Sequence, residues 1–182
     1  MPPPTPIVIV PSALDLSLLL SAVVERHGRN IDGELITLLA PAWWAVAELL
    51  EKDPDALFKI DPRKFEEFIA GKYDAEGYVV TLTPRSGDHG RDIVAVSKDG
   101  PTVRIFDQVK AYGRGKVVSA NDVRALMGTW AFSDATKGVV TTTAEFAPLI
   151  HQDPYITNAI AEGLELVDGD RLLQRLGELR RR

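Results

Sequence analysis

The chain contains no cysteine in its 182 residues. That excludes a disulfide framework and any cysteine-based zinc site. Histidine is scarce as well: His27, His89 and His151 stand far apart and lack the spacing of zinc ligands. Uninterrupted apolar runs long enough to span a membrane are missing. The most apolar stretch, 7–24, is broken by Pro11, Ser12, Asp15, Ser17 and Ser21, which argues against a membrane span. No Lys or Arg precedes Arg26, so the positive start of a secretory leader is lacking. These absences lead to the expectation of a soluble, cytoplasmic protein with no membrane partner.

An overall excess of positive charge is also absent, since the net charge is −5. Taken alone, that would disfavour a polyanionic partner. Its distribution changes the reading. Residues 1–60 carry four basic and eight acidic residues, whereas residues 85–137 carry nine basic and six acidic ones. The positive charge gathers in Arg85, Arg91, Arg104, Lys110, Arg114, Lys116 and Arg124. A local field of this kind steers a polyanion more than total charge does.

What is present is a globular composition, 45% hydrophobic, of a size that suits one ordinary domain with a small appendage. Met1–Pro6 reads as a Pro-rich lead-in and Ile7–Val10 as a short strand or arm. Ser12 can cap a helix to about Arg26, ended by Gly28. Asp32 can cap a second helix from about Glu34 to Lys52, bent at Pro41, with the core-type pair Trp43 and Trp44 in its middle. Residues 1–58 are therefore expected to form an N-terminal helical segment, and residues 59–182 a separate α/β domain. In that domain Asp61-Pro62 opens a helix to about Tyr73. Strands are expected at Tyr78–Leu82, Asp92–Ser97 and Val103–Lys110, the last two joined by an Asp99-Gly100 turn. Ser119 or Asn121 caps a helix to about Phe132. A strand at Lys137–Thr143, short helices near Glu145–His151 and Tyr155–Glu162, a strand at Leu164–Val167 and a closing helix to Arg180 follow. The resulting fold class is α/β: a mixed sheet, made of a three-strand meander plus two strands, flanked by helices.

One constellation stands out. Asp92 closes a Gly-rich turn and opens an apolar strand, and the next strand ends in Gln108-Val109-Lys110. Alternation along a strand points Gln108 and Lys110 the same way, with Val103, Ile105 and Val109 facing a core. Counting back from the Asp99-Gly100 turn puts Asp92 opposite about residue 107, next to Gln108. A carboxylate and an amide carbonyl are hard oxygen donors suited to Mg²⁺ or Mn²⁺. A lysine beside them can position a water or stabilise charge developing on a phosphoryl group. A further carboxylate comes from the helix after Pro62. On a helical wheel Glu66 falls at the margin of the buried side and Glu67 almost opposite, in solvent. Glu66 is thus the better candidate to reach the sheet, an ordinary flank residue being the other reading.

Together, Phe65-Glu66, Gly77-Tyr78-x-Val80, Thr83-x-Arg85-Ser86-Gly87-Asp88-x-Gly90-x-Asp92, Gln108-Val109-Lys110, Lys137–Thr142 and Glu165–Gly169 resemble the catalytic domain of Mrr-like restriction endonucleases. That group is a branch of the PD-(D/E)xK nuclease superfamily. The resemblance covers roughly residues 60–180. It implies Mg²⁺-dependent phosphodiester hydrolysis, with Mn²⁺ as a possible substitute. Glu66, Asp92, Gln108 and Lys110 are the implied active residues, the first three holding the metal. It also suggests restriction of foreign or modified double-stranded DNA, and a homodimer, because a double-strand cut needs two centres. A structure-specific resolvase or repair nuclease, and an inert DNA-binding scaffold, are the alternatives. Arg85, Ser86, His89 and Arg91 in the turn are candidate DNA contacts. His89 and Arg91 depart from the Gly and apolar residue common there. Tyr112, Arg114 and Lys116 form an aromatic-basic loop that is either a strand clamp or a solvated loop. Gln108 replaces the acid of the superfamily name, which removes one negative charge from the metal.

Overall fold

A computed structural model describes residues 13–84 and 90–182, with side chains from Leu16 onward. The lead-in, the arm and the Ser12 cap lie outside those residues. The central element is a seven-stranded sheet in the order β1-β2-β3-β4-β5-β7-β9. Its strands are β1 (Val24–Arg29), β2 (Glu34–Leu38), β3 (Tyr78–Leu82), β4 (Ile93–Ser97), β5 (Arg104–Lys110), β7 (Lys137–Thr142) and β9 (Leu164–Val167). From β1 to β5 every pairing is antiparallel, whereas β5–β7 and β7–β9 are parallel. The expected meander and the two later strands are therefore in place. A small parallel pair, β6 (Val117–Val118) with β8 (Glu145–Phe146), lies outside the main sheet.

Two helical layers cover the sheet. On one face α1 (Ala13–Leu20), α2 (Ala40–Lys52), α3 (Pro62–Ala75) and α6 (Gly169–Arg180) share a core that includes Trp43, Leu50, Phe65, Phe68, Ile93, Ile105, Leu172 and Leu176. On the other, α4 (Ala120–Ala131) and α5 (Pro154–Glu162) pack on Val94, Phe106, Val140 and Leu166. Trp43 is fully buried, stacks on Phe68 at 5.0 Å and donates its indole N–H to the Phe68 carbonyl at 2.9 Å. Truncating an aromatic placed like this costs about 3–5 kcal/mol.

The helix starts follow local chemistry. The Asp61 side chain accepts the amides of Arg63 and Lys64, with Pro62 at the first position. Ser119 and Asp122 form a reciprocal capping box on α4. Asp153 and Asp168 cap α5 and α6.

The N-terminal expectation needs correction. The helix expected to reach Arg26 ends at Leu20, and residues 24–29 are β1. The expected 34–52 helix is split: Glu34–Leu38 is β2, and Pro41 starts α2 instead of bending it. The reason is tertiary. Ile36 is buried in the core with Trp43, Phe65 and Phe68, and Glu34, Leu35 and Ile36 pair with Leu82, Thr81 and Val80. That pairing outweighs the weak helical preference of the segment. The 145–151 segment likewise forms β8 and a 3₁₀ turn, Ile150–Gln152, not a helix.

The Glu67 expectation falls with the helix reading. Glu67 is buried, because the β1–β2 hairpin lies over that flank of α3. Arg26 at 2.6 Å and Lys64 at 2.9 Å hold its carboxylate.

Candidate active site

The site lies where β4 stops and β5 continues. Ile93 pairs with Asp107, so one step further along the same register Asp92 is level with Gln108. The counted position was one residue short. The Asp92 amide donates to the Asp107 carbonyl at 2.9 Å, and its own carbonyl accepts the Thr83 amide at 3.0 Å. Beyond this point β5 has no β4 neighbour. The Val109 N–H that would otherwise be orphaned donates to Asp92 Oδ2 at 2.7 Å. The same side chain thus ends one strand and completes the next.

Strand alternation places Gln108 and Lys110 on the face of Phe106, and Asp92 on the face of Val94, which is the α4–α5 side. Val109 and Ile105 face the other core, as expected. Gln108 is buried, and its Oε1 has no hydrogen-bond partner among the described residues. Gly90 adopts φ 78°, which favours glycine, and lies beside Gln108, whose Nε2 would be in ordinary contact, at 3.6 Å, with a Cβ there.

Glu66 approaches from α3. It lines a cavity of about 240 Å³ together with Asp61, Pro62, Arg63, Thr83, Pro84 and Asp92. Arg63 Nη1 bonds its carboxylate at 2.5 Å. Two carboxylates from separate elements therefore share one cleft, with the Gln108 amide next along the strand pairing. Among the described residues no group of three or more His, Asp or Glu gathers into a metal cluster.

Lys110 has a partner that sequence reasoning missed. Its Nζ is 3.9 Å from Asp122 Oδ1 in the first turn of α4. Burial works to raise the Asp122 carboxyl, but the Ser119 hydrogen bonds and the charge of Lys110 outweigh it and hold the group below its ordinary range. Burial, and then Asp122, raise the Tyr112 hydroxyl. The Ser119-x-x-Asp122 spacing was the available signal for this residue, as a capping box.

A second missed group is Asp107, fully buried behind the site. Tyr73 Oη and Thr141 Oγ1 each donate to its Oδ2 at 2.8 Å, linking α3, β5 and β7. Burial pushes its pKa up to about 7, against the pull of these bonds and of Lys72. Tyr73 is also raised, by burial and then by Asp107.

The expected DNA contacts divide. Arg85, Ser86 and His89 lie outside the described residues. Arg91 stacks over the Phe106 ring at 4.6 Å and reaches Asp32 at 3.5 Å, so its guanidinium is turned onto the sheet face. Arg104 shares Asp32 at 2.8 Å and also pairs with Asp134. Arg114 pairs with Asp55 and lies over Phe58 at 4.9 Å, and Arg124 pairs with Asp153. Tyr112 bonds Asp122. Much of the basic gathering read from the sequence is thus neutralised locally. Lys116 is exposed and makes no ion pair among the described residues.

A mixed sheet between two helical layers, with acid, amide and lysine gathered at one end of its strands, has the layout of a restriction-endonuclease-like fold. Residues 57–176 match the Mrr catalytic-domain family, described as restriction endonuclease, and the chain belongs to that family. The uncharacterized protein y4cE of Sinorhizobium fredii (strain NBRC 101917 / NGR234) is 27% identical over 99 residues, covering 54% of this chain and 25% of that protein. Among solved structures, the DNA modification-dependent restriction endonuclease AspBHI shares the fold with a TM-score of 0.52 at 18% identity, over 70% of this chain and 34% of that one. The restriction endonuclease MspJI, solved with a 27-mer oligonucleotide, has a TM-score of 0.49 at 20% identity, over 75% and 32% of the two chains. The chain spans about a quarter of the length of the curated relative and about a third of each solved structure. No helix among the described residues is long and apolar enough to cross a membrane.

Proposed function

We propose that this chain is a Mg²⁺-dependent DNA endonuclease of restriction type, with Mn²⁺ able to substitute. Its substrate is double-stranded DNA, it works as a homodimer in the cytoplasm, and residues 59–182 carry the chemistry. The observation that carries this reading is the Gln108 Oε1 atom. It is a buried carbonyl oxygen without a partner among the described residues, level with Asp92 and beside the cleft that Asp92 shares with Glu66. An acceptor buried without a partner costs about 1–3 kcal/mol. A hard dication satisfies that oxygen, so the donor set fits the metal: Asp92, Gln108 and Glu66 would hold it. When bound, such an ion polarises a phosphoryl oxygen and lowers the pKa of a coordinated water.

The chain's own residues do the rest. The Val109 amide fixes the orientation of the Asp92 carboxylate. Lys110 offers an ammonium on the same strand face, where it stabilises charge developing on the scissile phosphate or orients the attacking water. Asp122 holds that ammonium in place. Lys116 and Arg85 supply cations to the DNA backbone, with Ser86 and His89 as further contacts.

Plasmid nicking tests the reading. With Mg²⁺ or Mn²⁺ the wild-type chain nicks the plasmid. Asp92→Ala abolishes cleavage, and Lys110→Ala lowers the rate about 10²–10³-fold. No metal-dependent nicking, or nicking indifferent to both changes, rejects the proposal. Methylated, unmethylated and branched substrates run in parallel distinguish restriction of modified DNA from a structure-specific activity.

A further inference from the structure

The β1–β2 hairpin, concealed in the sequence as helix, has an organisation that nothing in its folding role explains. β1 is an edge strand, paired only to β2 among the described residues. Residues 25–30 are all exposed. Arg26 is committed to Glu34 and Glu67. His27 and Arg29 make no hydrogen bond or ion pair through their side chains among the described residues. The acid in that exposed run, Glu25, sits at its far end.

The turn that follows Arg29 is held on several sides. Asn30 Oδ1 accepts the amides of Asp32 at 2.9 Å and Gly33 at 3.1 Å, and Asn30 Nδ2 donates to Thr81 Oγ1 at 2.9 Å. The Asp32 carboxylate takes Arg104 at 2.8 Å and Arg91 at 3.5 Å. Gly33, at φ +151°, packs so tightly that a Cβ there would stand 2.1 Å from the Leu82 carbonyl oxygen. At the tip of this braced turn Ile31 is 101% exposed. Glu34 pairs with Leu82, and Leu82 with Ile93, so the turn stands at the same end of the sheet as Asp92. Through Asp32 and Arg91 it is tied to the residue next to Asp92.

We infer that this hairpin is a second DNA contact, in which Arg29 meets a backbone phosphate and Ile31 presses as an apolar wedge into a groove beside the cut. The inference rests on the nuclease reading. An aliphatic side chain on a loose loop would carry no weight. Here it tops a turn already fixed by polar bonds, at the same end of the sheet as Asp92 and two positions from the unpaired Arg29. A bare aliphatic side chain two positions from an unpaired guanidinium suits a polyanion with stacked apolar bases. The bracing matters too, because a rigid tip loses little conformational freedom on contact.

Anisotropy of a labelled duplex, measured in EDTA across a salt series, separates the two roles. Arg29→Ala should lower the slope of log affinity against log salt by about 1. Ile31→Ser should weaken binding about fivefold with the slope unchanged. Both residues are exposed, and thermal melting confirms that the variants fold. Variants that bind like wild type overturn this inference and leave the nuclease reading standing. A wild-type chain that binds no duplex and cuts none overturns both. Size-exclusion chromatography is the remaining arm: if either substitution dissolves a dimer, the edge strand serves a second copy of the chain and the DNA contact is rejected.

Discussion

Replacing Asp107 with Asn should change how stability depends on pH, and the structure sets the size of the effect. Asp107 is fully buried, and burial raises its carboxyl from 3.8 to about 7. The folded state therefore holds this proton where the unfolded chain has released it. The stabilising contribution of the protonated form is complete below the unfolded value and is lost as pH rises through the folded value. A shift of this size corresponds to about 4 kcal/mol in full, of which roughly 2–3 kcal/mol falls between about pH 5 and about pH 8. Asparagine suits the local bonding. Its carbonyl can accept both Tyr73 and Thr141, as Oδ2 does now, and its NH₂ takes the place of Oδ1, which has no partner among the described residues. That unpaired amide costs about 1–3 kcal/mol at every pH. Asp107→Asn is thus expected to be less stable than wild type near pH 5, with the gap closing or reversing near pH 8. Urea denaturation of both proteins in EDTA measures the difference, and other titrations cancel in the comparison. Parallel pH profiles for the two proteins would refute the reasoning, because they would mean that Asp107 is equally protonated in the folded and unfolded chains.

Two further expectations concern the metal and the lysine. With a neutral amide at position 108, the DNA-free protein should bind Mg²⁺ weakly, and Gln108→Glu should tighten it at least about tenfold by restoring a charge. Calorimetric titration reads both, and tight Mg²⁺ binding by the unmodified, DNA-free protein contradicts the assignment. Asp122→Asn should lower the turnover rate about tenfold by loosening Lys110, and should have no added effect in a Lys110→Ala background. Additive losses in that double variant would show that Asp122 acts through its helix cap alone.

The catalytic half was legible because its signals are local. Asp61-Pro62 and Ser119-x-x-Asp122 are cap chemistry. The strands from Tyr78 to Lys110 are apolar runs closed by Gly-containing turns, and alternation alone put Gln108 and Lys110 on one face. The N-terminal half was not legible, because its strand identity comes from partners far away. Glu34–Leu38 becomes a strand by lying beside Tyr78–Leu82, more than forty positions on. Glu67 was misplaced for the same reason: a helical wheel assigns one buried side, and the hairpin makes a second. The Lys110–Asp122 and Tyr73–Asp107 contacts link residues on different elements, so no periodicity could announce them.

Why the site sits where it does follows from the change of sense at β5. On one side β5 is antiparallel to β4, on the other parallel to β7, and its two neighbours do not end together. Pairing with β4 runs out at Ile93–Asp107, whereas pairing with β7 continues to Lys110–Thr142. The last residues of β5 are therefore held straight on one side and bare on the other. A bare strand edge inside a protein must satisfy its amide, and Asp92 does so at Val109. The same requirement fixes a carboxylate beside Gln108 before any ligand arrives. It also explains why an amide is tolerable at position 108. The strand geometry already determines where the proposed metal donors stand, so a neutral amide would weaken attraction for a cation without loosening the site. On this argument Gln108→Glu changes affinity for metal, while a break in the β5–β7 pairing would disperse the donors themselves.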